Sequence, residues 1–249
     1  MNKLKEFLAA ILIVAAVGSL IYFMYQRGST KTNRELAKRI AEISPRGGPP
    51  ETIDGLRQAI AIYEDKIERN VREGAQTGVY WKILATRLAD RNMHKDALAA
   101  LERAIHFNTE DPVLYYLTGV CAGAAAKSVI GFNINSDMDR EHYYRLSENS
   151  YLRALDLEIT YTKAMYGLAV LYIFELDRPQ EGIVQLERYL QIQPSDIPAL
   201  FVLARGRFML KEYRQAVDVY DRIISRTKDS KLKEEALSNK DFIMEMLYE

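Results

Sequence analysis

The feature that most constrains this chain is a segment, Pro194 to Asp229, that can be laid over earlier parts of the same sequence. It divides into two short amphipathic helices. Leu200, Leu203, Ala204, Arg207 and Phe208 recur at helical spacing on the first, and Ala216, Tyr220, Ile223 and Ile224 on the second, with a tight turn, LKEYRQA, between them. A helix pair this thin cannot hide its own apolar face, so it is stable only when stacked on copies of itself. Stepping backwards from Leu203 with Ala204, the same phase recurs at Leu168 with Ala169, Thr118 with Gly119, and Leu84 with Ala85, at intervals of 35, 50 and 34 residues. On the second helix the small residue that precedes the apolar run is Ala216, Gly182, Ser147 and Ala97, at intervals of 34, 35 and 50. Both helices slip together. The unit is therefore about 34 residues long, with one extra turn residue near Asp177 to Gln180 and one insertion between the helices of the second copy.

These residues resemble the tetratricopeptide repeat family, whose pattern is Trp, two residues, Leu-Gly, two residues, Tyr, then Ala, three residues, Phe, then Pro. The copy at 78–111 supplies Trp81, Leu84, Ala85, Leu88, Ala97, Leu101 and Ala104. The copy at 112–161 keeps Tyr115, Gly119, Tyr151 and Ala154 around its insertion, at about 128–140. The copy at 162–196 has Met165, Leu168, Ala169, Tyr172, Gly182, Leu186 and Pro194. The copy at 197–230 has Leu200, Leu203, Ala204, Ala216 and Tyr220, but it places Arg207 where an aromatic belongs and lacks the closing Pro. Small residues let the helix backbones approach, and Trp81, Leu88, Tyr172 and Tyr220 fill the gaps between neighbours. All of these positions, Leu84 included, are expected in the core. The resemblance implies an all-α, right-handed superhelical solenoid of helix hairpins.

Composition excludes more than it identifies. With 48% apolar and 27% charged residues the chain is that of an ordinary globular protein. Equal numbers of basic and acidic residues, 34 each, remove any field-driven case for a nucleic-acid partner. The single Cys121 rules out an intramolecular disulfide, and its helix of small residues, GVCAGAAAK, points to a buried thiol rather than a nucleophile.

Ahead of the repeats, a short tail (1–6) is followed at 7–25 by FLAAILIVAAVGSLIYFMY, nineteen residues without a charge and long enough for most of a bilayer's hydrocarbon. Lys3 and Lys5 precede it and Ala16-Val17-Gly18 offers a weak cleavage site, but the apolar run continues well past that site. An uncleaved single-pass anchor in the cell membrane is the expectation. The short basic tail argues for an extracytoplasmic (periplasmic) domain, whereas Arg27, Lys31, Arg34, Lys38 and Arg39 argue for the cytoplasmic alternative. A polar hinge (26–32) leads to a short helix, Asn33 to Ile43, then the breaker SPRGGPPE, then a helix from about Thr52 to Arg72 with Leu56, Ala59, Ile60, Tyr63 and Ile67 on one stripe. The span 33–77 reads as a degenerate first repeat that caps the stack. At the other end, 231–249 is an amphipathic capping helix with Leu232, Ala236, Phe242, Ile243, Met246 and Leu247 facing inward.

No residue set carries chemistry. His94, His106 and His142 stand singly, without metal-ligand spacing, and no phosphate-cradling glycine loop or Ser, His and acid set can be assembled. In the insertion, Asn133, Asn135, Asp137, Asp139 and Glu141 alternate as calcium ligands do, but the sharp-turn Gly is missing and Tyr144 occupies the twelfth place. Asp137 or Asp139 is expected instead to cap a helix that starts near Arg140. No enzyme activity, metal or cofactor is expected. By the resemblance, the groove is lined by the second, fifth, ninth and twelfth residues of each unit, and the last three supply Lys82, Thr86, Tyr116, Val120, Tyr166, Val170, Ile173, Phe201, Arg205 and Phe208. This stripe is mostly apolar and aromatic, suited to a partner helix or extended segment, and lacks the Lys and Asn clamp of family members that grip chaperone tails. The expectation is a membrane-anchored scaffold that holds protein partners of a cell-envelope assembly such as a secretion, motility or pilus machine. The alternatives are an envelope chaperone that holds unfolded clients and a binder of small apolar ligands.

Overall fold

The computed structural model describes residues 52–129 and 134–248, together with Lys38, which is helical and exposed. The expected anchor at 7–25, the hinge at 26–32 and the rest of the Asn33 to Ile43 helix lie outside the described residues. Among the described residues no helix is long and apolar enough to cross a membrane. The chain divides into two compact units, Met1–Glu73 and Gly74–Glu249.

Nine helices and no strand occur among the described residues: α1 (Ile53–Ala89), α2 (His94–Phe107), α3 (Pro112–Ser128), α4 (Ile134–Leu157), α5 (Thr162–Phe174), α6 (Pro179–Ile192), α7 (Ile197–Met209), α8 (Tyr213–Arg226) and α9 (Ser230–Tyr248). From α2 onwards each helix packs on the next, and α5 also touches α3 and α7. The first helices of successive hairpins therefore form one layer.

The hairpin turns share a backbone device. α1, α5 and α7 are each followed by a residue with left-handed φ: Asn92 (59°), Asp177 (52°) and Lys211 (60°). Asn and Asp tolerate this region because their short polar side chains bond locally, whereas Lys pays about 1 kcal/mol there. The links into the next hairpin use a different one. Asp111 Oδ1 accepts from the Val113 N–H at 2.9 Å and Asp196 Oδ1 from the Ala199 N–H at 2.9 Å, so each carboxylate caps a helix that carries Pro in its first turn.

The core follows the small residues. Ala85, Ala97, Ala100, Leu101, Ala104, Leu114 and Cys121 form one buried cluster with Trp81 and Leu88 against it. A larger cluster runs from Tyr151 through Leu168, Leu186 and Leu203 to Ala236 and Ile243 on α9. Tyr151 is its wedge: a Cβ added at Gly119 would lie 2.7 Å from that ring, and one at Gly167 would lie 2.8 Å from it. Two glycines on α3 and α5 thus make the slot that one aromatic from α4 fills. Ser147 on α4 is fully buried, and its hydroxyl is satisfied by donating to the Gly119 carbonyl at 2.7 Å.

Four expectations are corrected. Leu84 is 44% exposed, unlike Leu168 at 0% and Leu203 at 4%, because it lies on a face of α1 outside the cluster that Trp81, Ala85 and Leu88 join. α1 is one helix of 37 residues with no break before Gly78, since the intervening REGAQTG holds no Pro and both of its glycines are accepted in the helix. The insertion is largely helical: α4 starts at Ile134 rather than near Arg140, so Asp137 sits inside its first turn and pairs with Arg140 at 2.9 Å instead of capping. On α9, Ala236 and Ile243 face inward as expected, but Phe242 is 53% and Met246 42% exposed.

Candidate partner-binding groove

α3, α5 and α7 lie side by side, so the fifth residues of their repeats fall in a row. Each carries an aromatic laid on a tyrosine of the second helix of its own hairpin. Ring centroids are 6.2 Å apart for Tyr116 and Tyr151, 5.6 Å for Tyr166 and Tyr189, and 6.1 Å for Phe201 and Tyr220. The front ring of each pair is half-buried and the backing ring is buried. Such pairs contribute about 0.5–1.5 kcal/mol beyond area burial and fix the orientation of the front ring. Tyr116 is held from a second side by Tyr161, edge-on at 5.7 Å.

The other expected groove residues differ in availability. Lys82 donates to Asp111 Oδ2 at 2.8 Å, so the one lysine of the row is tied to the residue that caps α3. Thr86 is exposed and its hydroxyl donates to the Lys82 carbonyl at 3.0 Å. Val120 is exposed, and Val170 is half-buried against the large cluster. Arg205 is exposed, with its guanidinium 5.8 Å from the Phe208 ring. Phe208 is half-buried between Tyr213 at 5.7 Å and Phe242 at 6.3 Å.

Ile173 does not belong to the groove. It is 2% exposed, and Gly182 and Gly206 leave the space it occupies: a Cβ at Gly182 would lie 2.6 Å from its side chain, one at Gly206 3.1 Å. Two features escaped the sequence reading. Phe242 continues the aromatic row onto α9 beside Phe208. The backing Tyr189 carries no positional signal, since it lies seven residues after Gly182, whereas Tyr151 and Tyr220 each lie four after Ser147 and Ala216.

The tyrosine hydroxyls of the row stay neutral well above physiological pH. Burial pushes the Tyr116 and Tyr166 hydroxyls above their usual 10.0. Tyr189 is raised by burial and by its hydrogen bond to Asp196 Oδ2 at 2.6 Å, and Tyr151 chiefly by burial. Cys121 is buried, and burial lifts its thiol to about 11. Among the described residues no group of three His, Cys, Asp or Glu gathers as metal ligands would. The wall thus offers aromatic faces and neutral hydroxyls, with the exposed Arg205 at one end and Lys82 tied to Asp111 at the other.

No family model matches the chain. A relative in sequence, anaphase-promoting complex subunit 3 of Schizosaccharomyces pombe, is 23% identical over 152 residues, which are 61% of this chain and 20% of that protein. The chain thus spans about a fifth of that relative's length. Among solved structures, MamA (residue 41 to its end) from Desulfovibrio magneticus RS-1 superposes with a TM-score of 0.54 at 13% identity, over 69% of this chain and 96% of that one. A thermophilic TPR protein from Thermus thermophilus gives 0.53 at 14% identity, over 73% and 89%. The fold is a tetratricopeptide-repeat-like solenoid. At these identities the likeness shows the fold alone, and what the solenoid binds has to be argued from its own row of rings.

Proposed function

We propose that this chain is a non-enzymatic scaffold that holds an apolar or aromatic segment of a partner protein against Tyr116, Tyr166 and Phe201. The observation that carries the reading is the repetition of one device on three adjacent helices: a front ring half open to solvent, oriented by a buried tyrosine behind it. Rings held this way lose little conformational entropy on contact, which is the property of residues that dominate interfaces. We extend the proposal to the apolar run at 7–25, which would anchor the scaffold in a cell membrane and raise its effective concentration for partners in a cell-envelope assembly. Crosslinking in cells tests the reading. The double variant Tyr166→Ala with Phe201→Ala should cut partner recovery by about tenfold or more, as expected when two interface anchors are removed. Undiminished recovery by a variant that keeps its helical circular dichroism would reject the groove. Recovery that persists after residues 1–25 are replaced by a cleavable export signal would reject the need for an anchor and leave the groove standing.

A further inference from the structure

The first half of α1 carries an apolar face that nothing among the described residues covers. Ile53 is 71% exposed, Leu56 42%, Ile60 55%, Tyr63 48% and Ile67 61%. Their alternating three- and four-residue spacing is that of a coiled-coil seam, with Ile53, Ile60 and Ile67 at the a positions and Leu56, Tyr63 and Asn70 at d. Elsewhere on this stretch Arg69 pairs with Asp65 within the helix at 2.7 Å. The apolar side has no such partner among the described residues.

We infer that this seam binds the same seam of a second copy of the chain, antiparallel, about a two-fold axis between Ile60 and Tyr63. In that register a residues face d residues throughout: Ile60 meets Tyr63, Leu56 meets Ile67, and Ile53 meets Asn70 at each rim. The arrangement is self-complementary, as a two-fold interface must be.

Charge decides the orientation. Arg57 and Glu64 occupy the e positions beside the seam. Glu64 has no ion pair among the described residues, and the contact of Arg57 with Asp54 is a loose 3.4 Å between side chains 76% and 85% exposed. Antiparallel pairing sets Arg57 of each copy beside Glu64 of the other, twice per dimer. Parallel pairing sets Arg57 beside Thr52 and Glu64 beside Ala59, with no ion pair gained. Flanking charges choose orientation and partner in this way because a like-charge contact at the seam edge is penalised.

The mass of the full chain, solubilised in a non-ionic detergent and followed by light scattering across a dilution series, tests the inference. Wild type should be a dimer that dissociates on dilution, and Ile60→Asp should be a monomer of unchanged helicity. Arg57→Glu alone and Glu64→Arg alone should each raise the dissociation constant roughly tenfold, since two ion pairs become two repulsions, and the double variant should restore it. A monomeric wild type, or a dimer indifferent to Ile60→Asp, overturns the seam. A double variant no better than the singles overturns the antiparallel register. If Ile60→Asp lowers the melting temperature of a chain that was monomeric throughout, the seam is covered by its own chain and the second copy is rejected.

Discussion

A single ring, Tyr151, decides how closely α3 and α5 approach. It is 6% exposed and confined by Gly119 on one side and Gly167 on the other. Gly167→Ala gains roughly 1 kcal/mol of helix propensity but forces a methyl to 2.8 Å from a ring with no direction in which to retreat. Overpacking of this kind costs about 1–3 kcal/mol, so denaturant unfolding should show a net loss. Gly123→Ala is the control. Its nearest neighbour, Ser147 Oγ, is 3.4 Å away, an ordinary contact, so the propensity gain should survive as neutral or raised stability. Equal effects from the two substitutions would mean that Tyr151 is not confined. At this scale the sequence was readable only in part. A small residue at Gly119 announces a close approach, but the ring that fills the space lies beyond the insertion and could not be paired with it from spacing.

Among elements, the end of α5 is the best-tied joint. Glu175 accepts from Tyr144 of α4 at 2.6 Å and from Lys127 of α3 at 2.7 Å, so one carboxylate fastens three helices. Burial would raise its pKa, but the hydrogen bonds from Lys127 and Tyr144 outweigh this and hold it below its usual 4.5. A carboxyl depressed in the folded state contributes stability above its unfolded pKa and loses it as pH falls through the folded value. Glu175→Gln should therefore be less stable than wild type near neutral pH, by about 1 kcal/mol or less because Lys127 is largely exposed. The difference should vanish when thermal melts are repeated well below pH 4.5. A difference that persists in acid would mean that Glu175 acts by packing, not by charge. The hairpins from α3 to α8 were legible because a 34-residue phase repeats small residues, which only close packing explains. The unbroken α1 and the early start of α4 were not. Glycine in the first and alternating polar residues in the second imitate breaks, and only neighbouring helices decide whether a helix runs through them.

At the scale of the whole molecule, the buried core falls into two clusters that meet at α3. One joins α1, α2 and α3, and the other, against which Tyr115 and Tyr116 of α3 pack, runs from α4 to α9, ending at Ala236 and Ile243. Stacked hairpins gain stability mostly from nearest neighbours, and Ile243, 2% exposed, is where α9 closes the second cluster. Ile243→Ala should cost about 2–4 kcal/mol locally. Hydrogen exchange should speed up in α8 and α9 while α2 and α3 keep wild-type protection, and a uniform loss along the chain would show one cooperative unit instead. The groove was legible at this scale as a row of fifth positions. Ile173 was misread because the rule that picks inner-wall residues knows nothing of the two glycines opening a cavity on the other side.

The lone sulfur at position 121 has a practical corollary. Sunk in a helix of alanines and glycines and protonated up to about pH 11, it is a poor target for thiol reagents at working pH. Any cysteine introduced on an outward face would then be the sole handle for a fluorophore or spin probe, with the natural chain as its own blank.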